Sequence, residues 1–550
     1  MSSPLFFVPL GGVGEFGANF SLYGYDDRWL AIDCGMGFAD EELPGVDIVV
    51  PDPAFAAERR KRLEGIIITH AHEDHVGAIA HLWPYMRCPV YATRFTLEII
   101  RTKLQEKGLL DQVKLQEVAP GSQITLGPFA VDFVSVTHSI PEANLLRIST
   151  PAGRVIHTGD WKLDPDPVVG ALTDQAKLAA LGREGVDVLI GDSTNAMTPG
   201  HSVSEAEVQR AMIAEFKKHA QRIAVLCFAS NVARLRSIAH AAEACGRHVA
   251  LVGRSLWRIS DVARETGYLD GVPSFVSEED AGFLPRDKVV LVCTGSQGEA
   301  RAAMPRIAEN THPHITLEFG DTVIFSSRAI PGNEKAILRM KNRLIAQGIK
   351  LVSDREAPLH ASGHPAEDEL RELYHWLEPK AVIPVHGETA HLHAHAALAD
   401  DCGVPFTLIP ENGAVIQLAP QPIQVTGTAQ IGKLAVQGDS LMPAESDVMR
   451  LRRKVSAAGS AVVTLVMDKK GRLLASPQIS SPGLIARGPQ GNGTMADFEN
   501  AIQVAVENLP VGELRSDAAV EAAAARALRR QAVQAFGKKP VTDVHLVRVQ

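Results

Sequence analysis

The chain has 550 residues, of which 45% are hydrophobic and 22% charged, a balance that excludes wholesale disorder, collagen-like repeats and a simple coiled coil. At roughly 100–200 residues per domain this length predicts several domains. The formal net charge of −9 supplies no global electrostatic drive toward nucleic acid. The six cysteines form no CxxC pair, so neither a disulfide framework nor a thiolate zinc knuckle is expected, and a reducing cytoplasm fits. Signals for secretion and for membrane spanning are both lacking, since no basic and then apolar leader and no 18-residue apolar run occurs. Twenty histidines are the compositional excess to follow.

In chain order, Leu5 to Asp33 alternates short β-rich runs with glycine turns, as antiparallel hairpins do. Glu64 to Thr69 is a continuous β-branched run that predicts a buried strand, and Val76 to Met86 then predicts a helix. A second hairpin region spans 123–150, followed by strands at 154–157 and 186–190. At Ser202-Val203-Ser204-Glu205 a capping box opens a regular alternation: helix 205–219, strand 222–228, helix 231–244, strand 248–253, helix 255–266, strand 288–293. Such alternation implies a parallel sheet covered by helices. Short buried strands at 351–353 and 381–385 then resume the first domain, so the α/β unit reads as an insertion. The polar, basic stretch 439–458 reads as a linker. A final module has a hairpin (461–467 with 472–475), helices near 494–508 and 516–536, and a strand at 541–549.

The strongest chemical signal is His70-Ala71-His72-Glu73-Asp74-His75, directly after the buried strand. Histidines two apart on an extended segment point the same way, while Asp74 and His75 on the following turn face elsewhere, so one loop can feed two adjacent metals. The plain alternative, a polar loop rich in histidine, would leave several imidazoles buried without partners, which costs free energy. Further candidates stand at other strand ends: His138, Asp160 and His386. Each alone is weak and gains force from the first motif. A carboxylate can bridge two ions, which makes Asp160 the natural bridge. Gly12-Val13-Gly14-Glu15-Phe16-Gly17 satisfies GxGxxG, but a strand pattern follows it where a dinucleotide site requires a helix, so it reads as a hairpin. The basic groups Arg59 to Arg62, Arg254 with Arg258, and the 450–454 cluster are ordinarily solvated faces, although those near a domain junction suit an RNA backbone.

The loop HAHEDH, then His138, then Asp160, with Asp33 earlier in Ile32-Asp33-Cys34-Gly35, resembles in order the motifs of the metallo-β-lactamase superfamily. The insertion adds a resemblance to the β-CASP nucleases, through Asp192 in GDSTN, His364 in HASGH and His386 in PVHGE; a histidine at this last position marks RNA-processing members. The stretches Phe228-Ala229-Ser230-Asn231, Cys293 to Glu299 and Ile330-Pro331-Gly332-Asn333-Glu334 resemble the bacterial ribonuclease J family. The resemblance covers the whole chain and is specific in the first 440 residues. It implies an α/β fold: a metallo-β-lactamase αββα sandwich (1–204 and 351–438) with an inserted β-CASP domain (205–350), a linker (439–458) and a small C-terminal domain (459–550) suited to oligomerisation.

The family pattern implies one metal on His70, His72, His138 and Asp160 and another on Asp74, His75, Asp160 and His386, with Asp33 orienting the ligand loop. Two such ions, about 3.5–4 Å apart, lower the pKa of a bound water and clamp the attacking and leaving oxygens at phosphorus. The resemblance makes Asp192 and His364 the acid/base pair, with Asp192 favoured as proton donor and the direction left open by the sequence, and puts Ser230, Asn231, His360, Ala361, Ser362, Gly363 and His364 around substrate phosphates. Ala361 is a departure, since the family often has valine there. Zinc suits the imidazole and carboxylate ligands, and manganese is accepted by the same set.

The expected enzyme is a cytoplasmic ribonuclease with 5′-to-3′ exonuclease activity preferring a 5′-monophosphate, and endonuclease activity, in rRNA processing and mRNA decay. It would work as a homodimer or homotetramer with a place in an RNA-degradation complex. Two other readings compete: a catalytically silent β-CASP scaffold, and a small-molecule hydrolase of the superfamily, which the insertion argues against. The −9 charge is compatible with RNA because buried ligands account for several carboxylates and bound divalent ions restore positive charge locally.

Overall fold

The computed structural model describes residues 3–40, 42–330, 332–482, 484 and 495–549. Pro331 and residue 494, each part of an expected motif or helix, lie outside the described residues. The chain divides into two compact units, Met1–Phe38 with Ile48–Gly432, and Ala39–Asp47 with Lys433–Gln550.

In the first unit an eight-stranded sheet and a six-stranded sheet face each other. Leu5, Phe7, Tyr23, Leu30, Ile32 and Ile67 from one pack with Phe129, Val131, Phe133, Leu146, Ile148 and Ile190 from the other. The strand Phe129–Ser135 shows how sequence drives this layering. Its residues 129, 131 and 133 enter the inter-sheet core, while Val134 turns outward to join Leu178, Leu181, Leu370, Leu373 and Leu377 on covering helices. Helix Arg94–Glu106 packs on the strands Val90–Ala92 and Leu115–Glu117 of the larger sheet. Helices therefore cover both sheets.

The insertion is visible in the pairing. The chain leaves the six-stranded sheet after Val188–Asp192 and returns with Val382–Val385, parallel to it. Between them lies a five-stranded parallel sheet in the order His248–Val252, Val289–Cys293, Ile223–Leu226, Thr322–Phe325, Lys350–Val352. The segment near 351, expected to resume the first domain, is thus the edge strand of this inserted sheet. The strand order reverses around Ile223–Leu226, which makes the carboxyl ends of the central strands the topological switch point of this sheet. Ser230 and Asn231 follow that central strand directly.

Two other expectations change in unit one. The helix predicted over 76–86 is two helices, Glu73–Val76 and Ile79–Met86. The i→i−4 ladder is diverted: Ala78 N donates to Cys34 O, and Asp74 O accepts instead from Asn19 N and Nδ2. The capping box also shifts. Ser204, not Ser202, caps the helix Glu205–Phe216, accepting from Ala206 N. Ser202 instead donates its hydroxyl and N–H to Glu369, leaving the Glu205 carboxylate for Arg234.

The second unit carries a three-stranded sheet in the order Gln478–Ser480, Ser460–Asp468, Val541–Val549. Helices Met495–Glu507 and Asp517–Phe536 pack Phe498, Ile502, Val520 and Leu528 against Val463, Leu465 and Met467. The hairpin partner predicted at 472–475 pairs through the bridge Met467 to Leu473 and the bonds Asp468 N to Arg472 O and Leu474 N to Val466 O without forming a strand, and the paired strand is Gln478–Ser480, just after Pro477. The expected linker is folded: a hairpin Lys433–Gln437 with Ser440–Pro443, then helix Asp447–Ala458, capped by Ser446 on Met449 N. Basic composition did not break this helix, because it contains no glycine or proline. Its Arg452 and Arg453 reach Gln437 Oε1 and Glu42 O. Among the described residues no helix is long and apolar enough to cross a membrane.

Candidate metal centre and active site

The ligand-type residues sit on loops at the carboxyl ends of strands from both large sheets. His70 follows Leu63–Ile67, His138 follows Phe129–Ser135, Asp160 follows Gly153–His157, and His386 follows Val382–Val385. Three groups of side chains around Asp160 have ligand atoms within reach of a single ion: His70, His72, His138 and Asp160; Asp74, His75, Asp160 and His386; and Asp160, Asp192, His364 and His386. Asp160 belongs to all three. Its Oδ2 lies 3.2 Å from His75 Nε2, 3.7 Å from His70 Nε2 and 3.9 Å from His138 Nε2, and its Oδ1 lies 3.7 Å from His386 Nε2.

Tautomers are set from behind. His138 Nδ1 donates to Gly363 O at 2.5 Å, and His75 Nδ1 donates to Asp33 Oδ2 at 2.7 Å. Thr69 Oγ1 lies 3.0 Å from His70 Nδ1, and Thr194 Oγ1 lies 2.8 Å from His386 Nδ1. Each ring so held turns Nε2 toward the centre. His72 is reversed: its Nδ1 lies 3.1 Å from His70 Nε2 and 2.9 Å from His138 Nε2.

The residues fit a cation. Three imidazole nitrogens converge within hydrogen-bond distance, and Asp160 Oδ1 is buried without a hydrogen-bond partner. Burial holds His70 and His138 well below the ordinary imidazole value and His72 at about 4, which keeps them neutral as ligands must be. Burial pushes His75 and His386 down as well, but the surrounding carboxylates, Asp160 foremost, outweigh it and raise both. The cluster of Asp74, Asp160 and Asp192 therefore calls for positive charge at this point.

Asp33 is buried and accepts from Thr69 N at 2.8 Å and Thr69 Oγ1 at 3.0 Å besides His75. It ties the ligand loop at two points. Gly35 permits the loop to close on it, since a Cβ there would lie 1.6 Å from Asp74 O.

His364 Nδ1 lies 2.8 Å from Asp192 Oδ2, on the same rim and 3.8 Å from Asp160 Oδ2. Burial lowers His364, but Asp192 and Asp160 outweigh it and raise its pKa. Burial raises Asp192, but His364 and then His386 hold its carboxyl low. Each partner thus favours the charged form of the other.

The other expected substrate residues are placed unevenly. Asn231 caps helix Val232–Ala244, its Oδ1 accepting from Arg234 N at 2.7 Å, and Ser230 is half-buried beside it. Ser362 Oγ accepts from Asn195 Nδ2 at 2.7 Å and from His364 N at 3.2 Å. Ala361 is buried, and Gly363 lies against His138, where a Cβ would meet its ring at 2.5 Å. His360 keeps a buried Nδ1 without a partner, and burial, then Arg234 and Arg328, hold its pKa at about 3.

The basic groups divide. Arg59 stacks on Phe55, 3.5 Å from the ring centre, ahead of the strand Leu63–Ile67 and so at the opposite end from His70. Arg258 pairs with Glu106 at 2.5 Å.

Sequence reasoning missed three contributors. Asn19 Nδ2 lies 3.1 Å from His75 Nε2 and 3.4 Å from Asp74 Oδ2. Thr194 donates to Asp192 Oδ1 from N and Oγ1, and Asn195 holds the His364 loop. The last two stand inside the GDSTN motif, which was the available signal. Asn19 follows the glycine-rich hairpin set aside as structural, whose Gly12 O accepts from His386 N at 2.8 Å.

Family models match nearly the whole length of the chain: a beta-lactamase superfamily domain over 28–224, the ribonuclease J beta-CASP domain over 220–344, a Zn-dependent metallo-hydrolase RNA specificity domain over 349–407, and the ribonuclease J C-terminal domain over 447–549. A Ribonuclease J of Sinorhizobium meliloti is 44% identical over 549 residues, 99% of this chain and 97% of the relative. The chain belongs to the ribonuclease J family. A second ribonuclease J, from Thermus thermophilus, is 37% identical over 83% of this chain and 81% of its own. Among solved structures, a protein of unknown function from Enterococcus faecalis covers 77% of this chain and 100% of its own with a TM-score of 0.53 and 16% identity, a likeness of fold. The family's fold is that of the sequence reading: a metallo-β-lactamase sandwich with inserted β-CASP and C-terminal domains.

Proposed function

We propose that the chain is a metal-dependent ribonuclease holding two divalent ions, with 5′-to-3′ exonuclease activity favouring a 5′-monophosphate and with endonuclease activity. The observation that carries the reading is the placement of two complete ligand groups sharing Asp160 beside the Asp192–His364 pair. His70, His72, His138 and Asp160 would hold one ion, and Asp74, His75, Asp160 and His386 the other. Zinc is favoured, and manganese suits the same donors. When bound, such ions activate a water and stabilise charge on the attacked phosphate.

The chain's own groups do the rest. Asp33, Thr69, Thr194 and Gly363 O fix the rings that carry the ligand atoms. His364 carries the proton, and Asp192 holds the imidazole by its Nδ1, so His364 is assigned as donor to the leaving oxygen. The family resemblance favoured Asp192 as donor and left the direction open. His360, Ser230, Asn231, Ser362 and Gly363 are assigned to the substrate's phosphates, with the unpartnered His360 Nδ1 the strongest support.

The complete ligand set weighs against a silent scaffold. The reading extends to a cytoplasmic role in rRNA maturation and mRNA decay, as a homo-oligomer within an RNA-degrading complex, by analogy with the family.

The deciding experiment is a time course on 5′-monophosphorylated against 5′-triphosphorylated RNA, with wild type, chelated protein and His72→Ala. Expected are faster decay of the monophosphate, loss with chelator, restoration by zinc or manganese, and a loss of at least about 100-fold in His72→Ala. A metal-loaded wild type that leaves both RNAs intact sinks the reading.

A further inference from the structure

Glu142 lies four residues after the ligand His138 and joins three elements. Its backbone is left-handed, with φ +59°, an unfavourable conformation for a residue other than glycine that persists only where the surroundings impose it. Its carbonyl accepts from Asn144 Nδ2 at 2.6 Å, and Asn144 N in turn donates to Thr69 O, the residue before His70, at 3.2 Å. Its carboxylate accepts from Phe95 N at 2.9 Å, at the start of helix Arg94–Glu106, and from Tyr268 Oη at 2.8 Å. Negative charge at a helix N-terminus is favourable.

Tyr268 comes from the inserted domain. Its ring meets Phe95 edge-on, with centroids 5.8 Å apart, and its carbonyl accepts from Arg236 Nη1 at 2.9 Å. Arg236 stands on helix Val232–Ala244, the helix that Asn231 caps. A line of contacts therefore runs from the helix that follows the central inserted strand, through Arg236 and Tyr268, to Glu142 and the loop that carries His138. A second contact of the inserted domain with helix Arg94–Glu106, that of Arg258 on helix Arg254–Glu265 with Glu106, lies at the far end of helix Arg94–Glu106 and does not touch that loop.

We propose that Glu142 is a positioning residue for the metal centre and that its bond with Tyr268 couples the seating of the inserted domain to the alignment of His138. The proposal rests on the ribonuclease reading for its kinetic readout only. Contacts alone do not establish coupling, so the test is a double-mutant cycle.

Metal-loaded full-length protein is assayed on a short 5′-monophosphorylated RNA, and zinc release to a chromophoric chelator is timed in parallel. Tyr268→Phe, which deletes one hydroxyl, is expected to lower kcat about fivefold with KM within about twofold, and to speed zinc release about threefold. Glu142→Ala is expected to lose about tenfold in kcat, with Tyr268→Phe adding nothing further in that background. Glu142→Gln, which keeps an acceptor oxygen, should recover to within about threefold of wild type. Glu106→Ala, which breaks only the distant pair, should leave kcat unchanged.

Losses that multiply in the double variant, losses confined to KM, or equal losses in Glu106→Ala overturn the proposal. If the wild type does not cut RNA, the zinc-release cycle decides alone: faster release in Tyr268→Phe that is not additive with Glu142→Ala supports the coupling while the ribonuclease reading falls, and unchanged release overturns the coupling as well.

Discussion

At the scale of single residues, the centre is organised by what stands behind the ligands. Asp33 is the clearest case: a buried carboxylate in a left-handed backbone, φ +63°, that accepts from Thr69 and His75 together. Replacing it by Asn keeps the size but removes an acceptor from one side, so His75 loses the partner that fixes its tautomer. Asp33→Asn is expected to weaken zinc binding about 10–100-fold with the fold retained, read by equilibrium dialysis; an unchanged affinity would remove Asp33 from this role. The carboxylate was legible in the sequence by its motif, and its two partners were not. Thr69 and His75 lie 36 and 42 residues away, and only the pairing of strands Arg28–Ile32 and Leu63–Ile67 brings them together.

At the scale of elements, the strand-end loops are held by contacts that local pattern does not encode. Glu205 was legible as a helix-start residue, yet its carboxylate is buried against Arg234, 3.2 Å away. Arg234 also donates to Ser326 O at 3.0 Å and Leu359 O at 3.1 Å, which steadies the segment leading into His360. Breaking one partner of a buried ion pair leaves the other charge uncompensated. Glu205→Leu is therefore expected to destabilise the protein by about 3–5 kcal/mol in denaturant unfolding, and a loss under about 1 kcal/mol would mean that Arg234 finds other compensation. The helix at 447–458 teaches the converse. Its basic composition suggested a linker, but without glycine or proline the chain takes helical bonds wherever neighbours can satisfy its side chains.

At the scale of the whole molecule, each of the two units has its own buried core, the smaller one built from Phe498, Ile502, Val520 and Leu528 on a three-stranded sheet. That independence makes the assembly role proposed for the C-terminal module separable from chemistry. Cutting the chain at Gly459, ahead of the strand Ser460–Asp468, is expected to lower the proposed oligomer to monomers in a light-scattering mass measurement, and an unchanged mass would count against the role.

What the sequence by itself determined is the inventory of chemistry: the HAHEDH loop after a buried strand, His138, Asp160 and His386 at strand ends, and the β-α alternation of the insertion. These are local signals, because ligands two residues apart and apolar periods of two or 3.6 are set by backbone geometry within a few residues. Tertiary structure alone decided which nitrogen each ring presents, that Asp192 and His364 meet as a pair, and that Lys350–Val352 belongs to the inserted sheet. The reason is physical. A ring's tautomer follows the acceptor behind it, and for His138 that acceptor is Gly363 O, 225 residues away. Such partners are chosen by the packing of sheets, which no short stretch of sequence carries.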